Sequence, residues 1–131
     1  MPQNPSRRVL DVGQCTPDHL AIAGLLVEHL GAHVDRAHTA NEAFKLVATD
    51  KYDLVLVNRL LDADGTPGLE LIKRLATAQE TQATPVMLIS NQSDAQDAAV
   101  DAGALRGFGK ASLYAAATFE RLASCLGHTE A

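Results

Sequence analysis

Three polar side chains that could take part in chemistry stand where a short apolar run of the sequence ends. They are Asn58 after Asp53–Val57, Ser90 after Pro85–Ile89, and Lys110 after the glycine-rich Leu105–Gly109. A short apolar run bounded by turn signals predicts a strand that is buried on both faces. In open α/β sheets, ligands bind just past the carboxyl ends of such strands. We therefore expect Asn58, Ser90 and Lys110 to share one edge of a sheet.

The rest of the chain supplies the elements that must position these side chains. Two earlier runs, Val9–Val12 and His33–Ala37, also predict strands, and helical patterns follow all five predicted strands after short loops. This alternation predicts βαβ units in an α/β fold, with a five-stranded parallel sheet and helices on both faces. We expect one domain over residues 7–127, with short tails at residues 1–6 and 128–131. Asp11 lies inside the first strand, where a buried carboxylate needs a partner or a proton.

The sequence also predicts the helix boundaries. Thr16 is the expected N-cap of the first helix, with Pro17 at the first position and Gly31 at the end. Its expected buried stripe is Ile22, Ala23, Leu26, Val27 and Leu30. Thr39–Glu42 form a capping box for the second helix, and the third begins near Leu69. Ser93–Gln96 are expected to cap the fourth helix, and the fifth is expected to begin near Ser112.

Composition excludes several classes of function. The formal net charge is −5, and the few basic residues are scattered, so we expect no nucleic-acid partner. No apolar stretch is long enough to cross a membrane, and residues 1–6 lack the apolar segment of a secretory signal. The two cysteines, Cys15 and Cys125, fit no metal-ligand spacing. We expect a cytoplasmic protein with reduced cysteines and with neither metal nor cofactor.

The order of the polar strand ends resembles the response-regulator receiver domain of two-component signalling. Supporting motifs are Tyr52–Leu54 entering the third strand, Gly68–Leu71 opening the third helix, Pro85–Val86 before the fourth strand and Gly103–Ala104 before the fifth. The resemblance spans about residues 7 to 126. It implies a flavodoxin-like sheet with strand order 2-1-3-4-5.

The resemblance also implies a phosphorylation pocket, and this sequence departs from it. Ordinary receivers bind Mg²⁺ with an acidic pair after strand one and accept a phosphoryl group on an aspartate after strand three. Ser90 and Lys110 match the family's phosphoryl-contacting residues, but Asn58 stands at the acceptor position. The acidic pair falls on Gln14 and Cys15 when counted back from the helix end, or on Gly13 and Gln14 when counted from the strand. We favour the first register, and neither supplies the carboxylates that Mg²⁺ prefers.

These departures predict a degenerate receiver that is not phosphorylated, because an amide is too weak a nucleophile to accept a phosphoryl group. Lys110, without its usual anionic neighbours, is expected to pair with Asp11, Asp62 or Asp64, to bind an anion, or to face solvent. Cys15 precedes a helix N-terminus, where a thiol can become reactive, although an inert loop residue is the simpler interpretation.

The expected function is therefore non-enzymatic protein–protein recognition in signalling. By analogy with the family, the expected interface is the face formed by helix four, strand five and helix five, which could also form a homodimer. Its candidate contacts are Arg106, Phe108, Tyr114 and Arg121. Two alternatives remain: a phosphorelay receiver with an unusual site, and a redox or small-anion sensor that uses Cys15, Asn58 and Lys110.

Overall fold

The computed structural model describes residues 7–126. The expected tails at residues 1–6 and 128–131, and the predicted domain end at residue 127, lie outside the described residues. The elements, in chain order, are β1 (Arg7–Val12), α1 (Thr16–Leu30), β2 (Ala32–Ala37), α2 (Ala40–Thr49), β3 (Leu54–Asn58), α3 (Gly68–Thr77), β4 (Val86–Ile89), α4 (Ser93–Asp101), β5 (Leu105–Phe108), a short 3-10 helix (Lys110–Ser112) and α5 (Ala116–Leu126).

The five strands form one parallel sheet in the order β2-β1-β3-β4-β5. This confirms the predicted architecture. Alternate residues of each strand point to opposite faces, so the sheet supports two separate hydrophobic cores. One core packs against α2, α3 and α4, and the other packs against α1 and α5. The sheet is thus covered on both faces, and the carboxyl ends of β1, β3, β4 and β5 open on a common edge.

Helix α1 begins one residue earlier than the sequence predicts. Its N-cap is Cys15, and Thr16 is already the first helical residue, so the prediction of Thr16 as N-cap is wrong. The shift follows from local chemistry, because the Arg36 guanidinium contacts the Thr16 hydroxyl that would otherwise be available for capping. Gly31 ends the helix in the left-handed conformation, φ 64°, as predicted. Val27, expected in the buried stripe, is exposed, and Leu25 is buried in its place.

The two later helix boundaries also differ from expectation. Gln92, not Ser93, is the N-cap of α4, because the Ser90 hydroxyl accepts a hydrogen bond from the Gln92 backbone N–H and fixes the preceding turn. Helix α5 begins at Ala116 instead of near Ser112, because the chain first forms the 3-10 turn Lys110–Ser112. Within residues 7–126, no helix is long and apolar enough to cross a membrane.

Candidate functional site

Asn58, the last residue of β3, uses its side chain to hold neighbouring backbone. Its Nδ2 donates hydrogen bonds to the carbonyl oxygens of Gly13 at 3.1 Å and of Leu60 at 2.8 Å. Because both partners are acceptors, the group between them must be a donor, which an amide supplies and a carboxylate does not. The Asn58 amide therefore ties the end of β1 to the start of the β3–α3 loop.

That loop folds back over the end of β1. Leu60 and Pro67 form an antiparallel bridge. Leu61 points inward and is only 1% exposed. Leu61 packs directly over Gly13, whose φ is +80°. A Cβ at position 13 would lie 2.5 Å from Leu61 Cδ2 and 2.9 Å from Leu61 Cα. The space beside the end of β1 is thus filled by a leucine, and only glycine fits next to it.

The residues after β1 carry no charge. Gly13 and Gln14 follow the strand directly, Gln14 is fully buried, and Cys15 is exposed at the N-cap of α1. The first register of the expected acidic pair offers the amide of Gln14 and the thiol of Cys15, and the second offers only the amide of Gln14. Neither register offers a carboxylate.

Asp11 is a carboxylate that lies inside β1 and is fully buried. Its Oδ2 is 2.7 Å from Nδ1 of His19, which comes from the first turns of α1. The predicted need for a partner is confirmed. Burial raises the pKa of Asp11 to about 6, against the opposite influence of His19, Gln14 and Arg36. Asp11 is therefore held within the fold and does not face the cleft.

Lys110 pairs with Asp18, at 2.8 Å between Nζ and Oδ2. The predicted ion pair is present, but the predicted partners Asp11, Asp62 and Asp64 are wrong. Asp18 lies in the first turn of α1, which approaches the β5–α5 connection across the sheet edge. The same Asp18 oxygen accepts a hydrogen bond from the Cys15 thiol at 3.1 Å. These contacts, that with Lys110 first, lower the pKa of Asp18 below its usual value.

Asn58, Ser90 and Lys110 do share one cavity, of about 380 Å³, as the strand ends predict. The remaining lining residues are Arg59, Leu60, Ile89, Asn91 and Gln92. Cys15 does not line this cavity, although it is linked to Lys110 through Asp18. The cavity wall thus contains two cationic side chains and no carboxylate among the described residues.

The sequence of the chain also matches a known family. A model of the response regulator receiver domain matches residues 16–112. This chain is a member of the response regulator receiver domain family. The family assignment and the strand order agree with the resemblance found in the sequence.

Solved receiver structures are similar to this receiver in fold. The receiver domain of the Francisella response regulator 1452 has 20% identity and a TM-score of 0.77, over 95% of this chain and 100% of that chain. A two-component response regulator from Clostridium difficile has 17% identity and a TM-score of 0.73, over 97% of this chain and 100% of that chain. The comparison with curated proteins gave no match.

A third similar structure shows what the edge of a receiver can hold. The receiver domain of the Pseudomonas aeruginosa sensor histidine kinase PA1611 has a magnesium ion coordinated in its active-site cleft. It has 17% identity to this chain and a TM-score of 0.72, over 95% of this chain and 100% of that chain. In the receiver described here, residues 7–126 contain no group of three or more His, Cys, Asp or Glu side chains that could hold a metal ion. The donor set after β1 does not fit Mg²⁺.

The candidate interface residues divide into exposed and buried positions. Tyr114 is 76% exposed, Arg121 is exposed, and Arg106 is exposed and pairs with Asp97 at 2.9 Å. Phe108 is only 4% exposed and packs in the core beneath α1 and α5, so its assignment to the surface is wrong. The physical reason is the register of β5, which shifts along the strand and places Phe108 beside Ile89 of β4, in the core covered by α1 and α5.

Three residues of the site are missing from the sequence interpretation: Asp18, His19 and Leu61. An acidic residue in the first turn of a helix is a common sequence feature, so Asp18 carried no signal that it pairs across the sheet. His19 could have been found as the partner that buried Asp11 requires. For Leu61, the available signal was an apolar residue directly before the polar, turn-rich residues 62–68.

Proposed function

We propose that this receiver is a degenerate, unphosphorylated form that acts in signalling as a non-enzymatic protein-interaction module. The observation that carries the proposal is the pair of hydrogen bonds from Asn58 Nδ2 to two backbone carbonyls. The side chain at the acceptor position is a structural donor, and its role cannot be combined with that of a phosphoryl acceptor. The leucine over Gly13 and the uncharged positions 14 and 15 support the same conclusion.

The Lys110–Asp18 pair supports a module held in one conformation. In the family, the matching lysine contacts the phosphoryl group, which the resemblance places after strand three. Here Lys110 is supplied with a carboxylate by α1. Because this counter-charge belongs to the folded chain, it is present without any modification. We propose that it fixes the β5–α5 connection permanently.

Incubation with acetyl phosphate and Mg²⁺, followed by intact-mass measurement, tests the absence of phosphorylation. We expect no mass gain for the wild type or for Asn58→Asp, with an ordinary receiver as the positive control. A mass gain of one phosphoryl group that is lost on changing the pH would instead support the alternative of a phosphorelay receiver with an unusual site.

The surface proposed for recognition is the face formed by α4, β5 and α5. It carries the exposed side chains of Arg106, Tyr114 and Arg121, together with two half-exposed apolar residues, Val100 and Leu105. A mixture of aromatic, arginine and aliphatic side chains is typical of protein interfaces. The proposed partner is another signalling protein, or a second copy of this chain.

Variants on this face and on the exposed surface of α1 test its role. Immobilised wild type and Tyr114→Ala would be compared for capture of proteins from the native cytoplasm, with Leu20→Ala on α1 as the matched exposed control. We expect Tyr114→Ala to lose a partner that Leu20→Ala retains. Sedimentation over a range of concentrations separates a homodimer from a different partner. Equal capture by both variants would contradict the proposed surface.

A second candidate function is non-covalent binding of a small anion, which the charge of the cavity favours. Arg59 and Lys110 both line it, and Asp18, the carboxylate that pairs with Lys110, is not among its lining residues. Titration with inorganic phosphate, observed by amide chemical shifts, would show saturable changes at Asn58, Ser90 and Lys110.

A redox role is tested separately by comparing thiol reactivity of exposed Cys15 with that of Cys125, whose pKa is raised by burial. Equal, slow reactivity of the two would exclude a special role for Cys15.

A further inference from the structure

Buried polar atoms without partners are concentrated at one place, where β1, β2 and the loop before α1 meet. They are Asp11 Oδ1, Gln14 Oε1, Gln14 Nε2 and Arg36 Nε. Each is inaccessible to solvent and makes no hydrogen bond within residues 7–126. Leaving such a group unpaired is costly, so each requires an explanation.

The three side chains belong to one neighbourhood. Asp11 and Arg36 are register partners on the adjacent strands β1 and β2. Arg36 also donates from Nη2 to the Gln14 carbonyl oxygen at 3.0 Å. Gln14 and Arg36 both act on the charge of Asp11, since each favours its ionised form and lowers its pKa against the effect of burial. The four unpartnered atoms therefore belong to three neighbouring side chains.

We propose that one internal water molecule lies between these side chains and is bound by Asp11, Gln14 and Arg36. The unpartnered atoms comprise two acceptors, Asp11 Oδ1 and Gln14 Oε1, and two donors, Gln14 Nε2 and Arg36 Nε. Water offers two donors and two acceptors, and buried waters make about three hydrogen bonds to such groups. One water molecule thus satisfies the whole set.

Charged ligands do not fit the same set of atoms. A cation would face Nε of Arg36 and Nε2 of Gln14, and the carboxylate of Asp11 already has His19 and Arg36 beside it. An anion would face the buried Asp11 carboxylate. Water is the ligand class that agrees with both the hydrogen-bond pattern and the charge. The site is independent of the proposed function, because it lies beneath the surface and not in the cleft.

Two measurements on the wild-type chain test the proposal. A crystal structure at about 1.5 Å should show a water within about 2.7–3.2 Å of at least three of the four atoms. Relaxation dispersion of the ¹⁷O water signal should show a long-lived internal water in solution. Side chains that rearrange to bond one another directly, with no density between them, would overturn the proposal.

Two variants that replace a buried glutamine by leucine test the proposal through the change in stability and in the water signal. Gln96 is also buried, but its amide bonds directly to backbone groups, including the Leu88 carbonyl and the Gly107 N–H. Gln14→Leu should remove the long-lived water signal and raise the unfolding equilibrium constant roughly tenfold. Gln96→Leu should lower stability but keep that signal. If Gln14→Leu instead shifts the urea midpoint upward, the Gln14 amide has no hydrogen-bond partner in the wild type, and the proposed water is absent. If Gln14→Leu does not fold, the two wild-type measurements alone test the proposal.

Discussion

Replacing Asn58 by aspartate separates a structural role of this position from a chemical one. The change removes the Nδ2 amide that donates hydrogen bonds to the carbonyl oxygens of Gly13, at 3.1 Å, and Leu60, at 2.8 Å. It puts a negatively charged carboxylate oxygen in place of that nitrogen, next to the same two carbonyl oxygens. Two lost hydrogen bonds cost about 1 kcal/mol each, and the unpaired acceptors add about 1–3 kcal/mol. We expect Asn58→Asp to lower the free energy of unfolding by roughly 4 kcal/mol near neutral pH, a large share of a typical domain's stability.

Urea unfolding followed by circular dichroism measures this effect. With a slope of about 2 kcal/mol per molar urea, the midpoint should fall by about 2 M. The penalty should shrink at acid pH, because a protonated aspartate can again donate to one carbonyl. The variant should still take no phosphoryl group from acetyl phosphate and Mg²⁺, because the metal ligands remain absent.

Asn91→Asp is the matched control for Asn58→Asp. Asn91 is exposed on the same edge, and its Oδ1 accepts a hydrogen bond from the Ala111 N–H. Aspartate keeps that acceptor, so the same change of charge should cost less than about 0.5 kcal/mol. If the Asn58→Asp variant is as stable as the Asn91→Asp variant, the assignment of Asn58 as a hydrogen-bond donor is refuted. If Asn58→Asp is phosphorylated, the conclusion that the site lacks magnesium ligands is refuted.

Three further predictions concern neighbouring contacts. Gly13→Ala should destabilise the chain by about 3 kcal/mol, from left-handed strain and contact with Leu61, and Leu61→Ala should relieve part of this in the double variant. Asp18→Asn should lower stability by less than about 1 kcal/mol in low salt, because the pair with Lys110 is one-third exposed, but should accelerate amide exchange in Lys110–Ser112. The pKa of Asp11 is raised to about 6 in the folded state, so its contribution to stability is complete below about pH 4 and is lost as the pH rises to about 6. Asp11→Asn, which imitates the protonated form, should therefore gain up to about 3 kcal/mol relative to wild type over that interval, measured by urea unfolding at each pH.

Each of these predictions has a contrary outcome. Additive effects of Gly13→Ala and Leu61→Ala would show that the two residues do not compete for space. Unchanged exchange in Asp18→Asn would show that Lys110 does not hold the 3-10 turn. A constant difference between Asp11→Asn and wild type from pH 4 to pH 6 would show that the pKa of Asp11 is not raised.

The fold could be predicted from the sequence because its signals are local and repeated. Five apolar runs separated by helical patterns determine the α/β class, and polar residues at the strand ends determine which edge carries the site. The exact helix starts could not be predicted in this way. Thr16 and Ser93 are good capping residues by type, but Arg36 contacts the first, and the hydroxyl of Ser90 fixes the turn before the second. A tertiary contact decided the first boundary, and a local turn decided the second.

The partners within the site were harder to predict than its members. Asn58, Ser90 and Lys110 follow from the strand pattern, whereas the choice of Asp18 over Asp62 for Lys110 depends on how α1 sits against the sheet edge. Val27 illustrates the same limit on a helix, because a periodic stripe fixes the spacing of buried residues but not the rotation of the helix. Its place in the core is taken by Leu25.

The features that distinguish this edge support one another physically. An amide at position 58 is needed because the β3–α3 loop returns its Leu60 carbonyl to the strand end, and that same return places Leu61 over Gly13. With Leu61 in place, a larger residue at position 13 meets both the leucine and an unfavourable φ. A carboxylate introduced at any one of these positions therefore meets a structure adapted to its absence. Recovery of metal binding would require the loop, and not a single residue, to change.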